Sequence, residues 1–342
     1  MKALIYKKPF LMEIEELEKP KPDKDEVVVK VEAVGACGSD VHGFAGKTGR
    51  RNPGMVMGHE IAGIISDVGS EGSKTLLGKS VVIQPIIYCG VCKLCKLGLT
   101  SVCLNKKMVG VNMGTNGGLS EYLIVPEKNI FEINQSVSPE IGTLVEPFAV
   151  GEGAASLMSN LISESNICII GSGTIGLTTL LMVKKRKPRK MFIIDQNEKK
   201  LSIAKDFGAI PINYLKENPR EIILDRTEGY GVDIVFEAVG VPSSVKTSME
   251  VLRTGGTAVW VGNSERFVEV DMQDIVVNMK NILGSYTYND INFKEARDFV
   301  ESNIDVASIF AEEVVPLSEA NTLFTSLAKG EKELLRGIVK IE

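Results

Sequence analysis

Between residues 166 and 261, short β-branched apolar runs alternate with longer segments of mixed polarity. Ile167-Cys168-Ile169-Ile170 comes first, followed by Met191-Phe192-Ile193-Ile194 and Pro211-Ile212-Asn213-Tyr214. Val232-Asp233-Ile234-Val235-Phe236 and Ala258-Val259-Trp260-Val261 complete the series. Runs this short, with little polar alternation, suit strands buried on both faces. The segments between them predict helices over 177–187, 199–207, 219–226 and 245–252, with Gly208 as a stop signal and Gly255-Gly256 as a turn. Strand and helix alternating at these lengths predict a parallel, doubly wound α/β sheet. A helical stretch over 144–163 leads into it.

The N-terminal region has a different pattern. Residues 1–35 alternate β-rich runs with turns, as in Glu26-Val27-Val28-Val29-Lys30-Val31 after the break at Pro20-Lys21-Pro22-Asp23, and predict a small β domain. At 342 residues the chain has room for about two domains of ~150 residues each. No apolar run approaches the ~18 residues of a membrane span. The start, Met1-Lys2-Ala3-Leu4-Ile5-Tyr6, soon turns polar and lacks the apolar core of a secretory signal. A net charge of −5 gives no reason to expect nucleic acid or an anionic membrane as partner. With clustered cysteines of reduced type, the expected location is the cytoplasm.

The turn between the first two apolar runs is Gly171-Ser172-Gly173-Thr174-Ile175-Gly176. Its first glycine permits a tight turn, the second lets backbone N–H groups approach a pyrophosphate, and the third lets the helix pack close to the sheet. The helix N-terminus then aims free donors and a positive dipole end at the phosphates. Asp195 ends the next strand at the distance a ribose-binding carboxylate needs. It accepts the adenosine 2′-OH and repels a 2′-phosphate, so the expected cofactor is NAD rather than NADP. Strand ends at Val239 and Val261 border the same crevice. The basic run Lys184–Lys190 reads as solvated capping of the negative helix end rather than a nucleic-acid patch, and Cys168 as a small core hydrophobe.

Two clusters carry metal chemistry. Cys37, Asp40 and His42 are followed by His59 and Glu60, and both histidines of the chain fall here. Thiolate, imidazole and carboxylate form a borderline-soft set suited to a catalytic Zn²⁺. Cys89, Cys92, Cys95 and Cys103, in a lobe with Gly90 and Gly98, have the count and spacing to close a tetrahedron around a second, structural Zn²⁺. Disulfides are the alternative, disfavoured because nothing else suggests an oxidising compartment.

The motifs Gly35-x-Cys37-Gly38-Ser39-Asp40-x-His42, Gly58-His59-Glu60-x-x-Gly63 with Gly69, the four-cysteine lobe, Gly117-Gly118-x-x-Glu121-Tyr122, Glu146-Pro147 and the glycine turn occur together and span nearly the whole chain. In this combination the sequence resembles the zinc-dependent medium-chain dehydrogenase/reductase superfamily, in its sorbitol and polyol dehydrogenase branch near the L-threonine dehydrogenases. The resemblance implies a GroES-like, mainly-β catalytic domain over 1–146 and 287–342, with a structural zinc lobe at about 85–107. It also implies a Rossmann NAD-binding domain over 147–286, and a homodimer or homotetramer joined through the nucleotide domains.

It further implies Cys37 and His59 as catalytic zinc ligands, and Glu146, in the place of a cysteine, as a ligand directly or through water. Glu60 is the implied exchangeable ligand and Asp40 the residue orienting His59. Ser39 and His42 match the proton relay, which runs through the nicotinamide ribose. Gly72 and Gly78-Lys79-Ser80 depart from the family pattern at surface turns and leave the ligands untouched.

The expected reaction is zinc-dependent, NAD-linked oxidation of a secondary alcohol in a polyol-like small molecule. L-Threonine, another amino alcohol, or an anionic polyol clamped by Arg50 and Arg51 are the rival substrates; solvated loop charges are the other reading of those arginines. A primary alcohol is disfavoured by Glu146. A non-catalytic NAD(H)-binding redox sensor is the rival of another class.

Overall fold

The computed structural model describes every residue except Met113. The chain divides into two units, Met1–Glu146 with Asn289–Glu342, and Pro147–Tyr288.

The second unit is built on six strands, in the spatial order Ile210–Asn213, Lys190–Asp195, Asn166–Ile170, Val232–Glu237, Leu252–Trp260 and Asn281–Gly284. Every neighbouring pair is parallel. Chain order reverses on either side of Asn166–Ile170, which creates a switch point where ligands bind beyond the carboxyl ends of strands. The central strand is closed to solvent, with Ile167, Cys168 and Ile169 at 0% exposure. Apolar runs without alternation therefore report covering on both faces. Burial also pushes the Cys168 thiol above its ordinary pKa, which keeps it an inert core side chain.

Helices follow the strands with local signals that explain their ends. Asn197 caps Glu198–Asp206 by accepting the Lys200 N–H at 3.1 Å. Asn218 caps Pro219–Arg226, with proline at a first-turn position, where its missing N–H costs nothing. The helix after the glycine turn runs Thr174–Lys184, one turn earlier than the 177–187 expected from periodicity. Thr174, Ile175 and Gly176 serve turn and helix at once, so no apolar stripe marks the start. At the far end Arg186 donates to the Met182 carbonyl at 2.8 Å and pairs with the buried Glu152 at 2.5 Å, so the basic run terminates the helix. Gly255 and Gly256 lie inside the strand Leu252–Trp260 rather than forming a turn before it, and the register shifts opposite Val232/Ile234.

In the first unit a seven-stranded sheet runs Ala311–Pro316, Arg336–Lys340, Glu26–Gly35, Glu60–Val68, Ser80–Ile83 and Ile130–Glu132, with Tyr122–Pro126 also paired to Glu26–Gly35. The C-terminal strand returns to the N-terminal one, pairing Ile338 with Gly35 and Val339 with Val34. Beneath it Phe44 and Phe324 meet edge to face at 5.7 Å, in a core that includes Val27, Val29, Ile61 and Leu119. No helix among the described residues is long and apolar enough to cross a membrane.

Glycines in the 171–176 turn differ in what they protect. A Cβ on Gly176 would stand 1.8 Å from the Gly171 carbonyl oxygen, whereas one on Gly173 meets nothing within 4 Å. Gly176→Ala is therefore expected to destabilise the unit by about 1–3 kcal/mol through overpacking against backbone, and Gly173→Ala to leave stability near the parent's. Denaturant unfolding of the two variants checks this; equal stabilities would refute it.

Candidate functional site

Cys37 occupies the N-cap position between the strand Glu26–Gly35 and the short helix Gly38–Phe44. His59 precedes the strand Glu60–Val68, whose Glu60 pairs with Gly35. The Glu60 carboxylate lies directly over Gly35, where a Cβ would be 2.1 Å from Oε2. Only glycine at 35 leaves room for it. Sheet register thus brings Cys37, His59 and Glu60 together, with one ligand atom of each within 4.8 Å of the others.

A buried charge network holds this set. Asp40 is fully buried, with Oδ2 2.9 Å from His59 Nδ1 and Oδ1 2.5 Å from Arg51 Nη2. Burial alone would raise its pKa, but His59 and then Arg51 outweigh it and lower it to about 2. For Cys37, burial is again outweighed, by His59 and Arg336, and the thiol is lowered to about 6. His59 is raised well above its ordinary value because Asp40 and Cys37 overcome the effect of burial. Glu60 goes the other way: burial pushes it to about 8 against the pull of Arg336, whose Nη2 is 3.2 Å from Oε1. Arg336 is itself fixed by donating to the Ala36 carbonyl at 3.0 Å.

Ser39 and His42 are exposed on the same helix. The Ser39 hydroxyl donates to Cys37 Sγ at 3.4 Å. Partial burial and then Lys47 hold His42 below its ordinary pKa. Glu146 opens the helix Val145–Ser156 and is buried. It acts electrostatically on Arg336 and lies outside the three-atom cluster of Cys37, His59 and Glu60. Arg51 requires a correction. It is neither an anion clamp nor a solvated loop charge, because it is buried and committed to Asp40. Arg50 remains exposed.

One thiolate, one imidazole and one carboxylate, with Glu60 Oε2 lacking any hydrogen-bond donor, fit a divalent cation held by three protein ligands and open at a fourth position. The four-cysteine lobe has a different geometry. Its sulfurs are separated by 3.5 Å (Cys92–Cys95 and Cys89–Cys103), 3.9 Å (Cys92–Cys103) and 4.0 Å (Cys89–Cys95). A tetrahedron with Zn–S bonds of ~2.3 Å has edges of about 3.8 Å. All six cysteines are free, and the lobe's separations are far from the ~2.05 Å of a disulfide. Backbone N–H groups of Cys92 and Val91 lower the Cys89 thiol to about 6, as thiolate ligation requires. Strands Ile86–Ile87 and Lys107–Met108 close the base of the lobe.

In the second unit, the strand ends bring together the residues expected to seat a dinucleotide. Asp195 Oδ2 accepts the Ser172 N–H at 2.5 Å, and Oδ1 accepts Gln196 and Asn197 N–H at 2.7 and 2.9 Å. Gly171, at φ +95°, packs under Val239, which a Cβ would meet at 2.7 Å. Val261 donates to the Glu237 carbonyl at 2.8 Å. The Glu237 carboxylate, fully buried, accepts the N–H groups of Val239 and Gly240 at 2.9 and 2.8 Å. Its role and that of Arg336 were missed from sequence; the signal in each case is a charged residue set in an apolar strand.

Two family models match the chain: the alcohol dehydrogenase GroES-like domain over residues 23–135 and the zinc-binding dehydrogenase over 174–302. L-Idonate 5-dehydrogenase of Vitis vinifera is 34% identical over 276 residues, 78% of this chain and 74% of that protein. L-Threonine 3-dehydrogenase of Bacillus subtilis (strain 168) is 30% identical over 341 residues, 97% and 96% of the two chains. A solved Escherichia coli oxidoreductase/dehydrogenase of unknown specificity superposes with a TM-score of 0.94 at 31% identity, covering 100% of this chain and 99% of that one. With its GroES-like first unit and Rossmann second unit, this chain belongs to the zinc-dependent medium-chain dehydrogenase superfamily, in the polyol- and threonine-dehydrogenase-like branch.

Proposed function

We propose that the chain catalyses the reversible NAD-linked oxidation of a secondary alcohol in a polyol-like substrate, using one catalytic and one structural zinc. The observation that carries this reading is the convergence of Cys37, His59 and Glu60 on one point, with His59 oriented by Asp40. Cys37 and His59 hold the catalytic metal, with Glu60 or Glu146 completing the set, and Cys89, Cys92, Cys95 and Cys103 hold the structural one. Bound in these seats, zinc supplies Lewis-acid polarisation of the substrate hydroxyl and NAD supplies the hydride acceptor.

The chain's own residues bind, orient and move the proton. The carbinol carbon loses a hydride and its oxygen loses a proton, leaving a ketone. Ser39 takes the proton, and the exposed imidazole of His42 passes it on to solvent. The Asp195 carboxylate, fixed by three backbone N–H groups, favours a ribose hydroxyl over a 2′-phosphate. Gly171, Gly173, Thr174, Ile175 and Gly176 seat the pyrophosphate, with Val239 and Val261 lining the crevice. Commitment of Arg51 to Asp40 takes away one candidate anion clamp, which favours a neutral polyol; an aldonate is the anionic variant of this reading, supported by the 34% identical relative named L-idonate 5-dehydrogenase. L-Threonine is the second reading, supported by the 30% identical relative that covers nearly the whole chain.

The deciding experiment follows nicotinamide reduction across polyols, aldonates, sugar phosphates, L-threonine and simple alcohols, with NAD⁺ and NADP⁺ in parallel. Chelator-sensitive turnover of polyols with NAD⁺ is expected; turnover confined to L-threonine selects the second reading. Cys37→Ser is expected to abolish turnover and leave NADH affinity unchanged, and retained activity would refute the metal assignment. His42 carries the pH dependence of proton release. Partial burial and then Lys47 hold its pKa below the ordinary histidine value, so the neutral, proton-accepting imidazole is favoured, and that capacity is lost as pH falls. His42→Gln should lower kcat by roughly 10²-fold and flatten the acid limb of the kcat profile; an unchanged profile would exclude the relay.

A further inference from the structure

The helix that carries Ser39 and His42 ends in a way that fixes a cation beside it. Gly46, at φ +76°, takes the left-handed conformation that glycine adopts at no steric cost. Its N–H donates to the Gly43 carbonyl at 2.9 Å, and the Lys47 N–H donates to the His42 carbonyl at 3.0 Å, the paired closing bonds of a Schellman cap. A Cβ at position 46 would also meet Pro9 Cγ at 2.8 Å. The cap therefore folds Lys47 back onto the turn that bears His42. Its charge acts on the imidazole, second to partial burial in lowering the pKa.

The far end of this loop is tied as firmly. Arg51 is buried and paired with Asp40, and just before it the Arg50 N–H donates to the Thr48 hydroxyl at 3.3 Å. Between the two anchors Lys47 and Arg50 are exposed. No Asp or Glu occurs between Asp40 and Glu60, so the segment supplies no carboxylate of its own to pair with them. A cation pinned beside a proton-relay imidazole also has a cost, because it opposes the protonated state through which the relay passes.

We propose that the alcohol substrate carries an anionic end group, and that Lys47, with Arg50 as a second cation of the same loop, is the specificity-determining residue that receives it. This rests on the polyol dehydrogenase reading of the Ser39 and His42 corner and selects the anionic variant of that reading. With Arg51 withdrawn, a neutral polyol would be the default; Lys47 returns a cation to the corner. A carboxylate or phosphate ester, borne on a carbon away from the reacting carbinol, pairs with the Lys47 ammonium as with a point charge. Its negative charge also offsets the field of Lys47 at His42. Bound substrate thus eases the proton transfer that the lysine alone opposes.

The test compares kcat/KM for three substrates of one carbon chain: a hexitol, the matching hexonate and the hexitol phosphate. It uses the zinc-loaded parent, Lys47→Gln, Lys47→Arg and, as a control on the second unit, Lys246→Gln. The parent is expected to prefer one of the two anions to the hexitol at least about tenfold, and which anion it prefers identifies the end group. Lys47→Gln should cut that preference about tenfold, mainly through KM, whereas Lys47→Arg and Lys246→Gln keep it. A second readout needs no turnover: the preferred anion should slow trypsin cleavage after Lys47 and Arg50, and the hexitol should not. Preference for the hexitol, equal losses for hexitol and anion in Lys47→Gln, or cleavage indifferent to the anions would overturn the proposal. Anion protection in a parent that oxidises no alcohol would uphold the anion site and remove the dehydrogenase reading; turnover of the hexitol alone would do the reverse.

Discussion

The buried carboxylate of Asp40 is the constraint on which the metal-binding corner of the first unit depends. An isolated carboxylate at that depth would cost several kcal/mol, and the cost is offset only when partners surround it with good geometry. Arg51 and His59 do so from two directions, at 2.5 and 2.9 Å. Removing one partner of such a set typically costs about 3–5 kcal/mol, because the remaining charge is stranded. The contact also fixes the imidazole. With Nδ1 committed to Asp40, Nε2 is the nitrogen left for the side of the ring where Cys37 stands, so one interaction both supports the fold and sets the imidazole's orientation.

Arg336 plays the corresponding part for Glu60, and the two networks explain what could be read from sequence. The glycine turn, the cysteine lobe and the β/α alternation are local patterns whose spacing carries their geometry. Cys37 caps the short helix that carries Asp40 and His42, so their proximity was legible too. The partnership of Arg336 with Glu60 was not, because it arises only when the C-terminal strand pairs beside Gly35. Arg51 shows the same limit at shorter range. Its sequence context is a polar loop, and nothing local distinguishes a solvated arginine from one drawn inward to neutralise a buried acid. In the second unit, the helix start at Thr174 and the strand residues Gly255 and Gly256 departed from the expected pattern for one reason. Positions that serve backbone geometry do not display a hydrophobic period.

Asp195 illustrates how one side chain makes a turn rigid. Its carboxylate accepts N–H groups from Ser172 in the glycine turn and from Gln196 and Asn197 at the head of the next helix. The turn is therefore tied to the strand end before any ligand arrives, which lowers the ordering cost of binding. Glu237 does the same for the next strand over, anchoring Val239 and Gly240. Two buried or half-buried carboxylates, each satisfied by backbone donors, thus hold the rim of the crevice.

The absence of acidic residues from the cysteine lobe meets two demands with one composition. Four thiolates around a divalent cation carry a net charge of about −2, and a nearby carboxylate would oppose thiolate formation. Lysines instead offset that charge: Lys106 is tied inward to the Ser101 carbonyl at 2.6 Å, while Lys93, Lys96 and Lys107 remain on the outside. A lobe chosen only for metal binding would need the lysines but not Val91, Leu97 and Leu104 beside them, since apolar groups in water contribute nothing to ligation. Their exposure on so small an element is costly unless covered. The lobe's lysines and its lack of acids thus suit four clustered thiolates, whereas its exposed apolar side chains answer to something other than ligation.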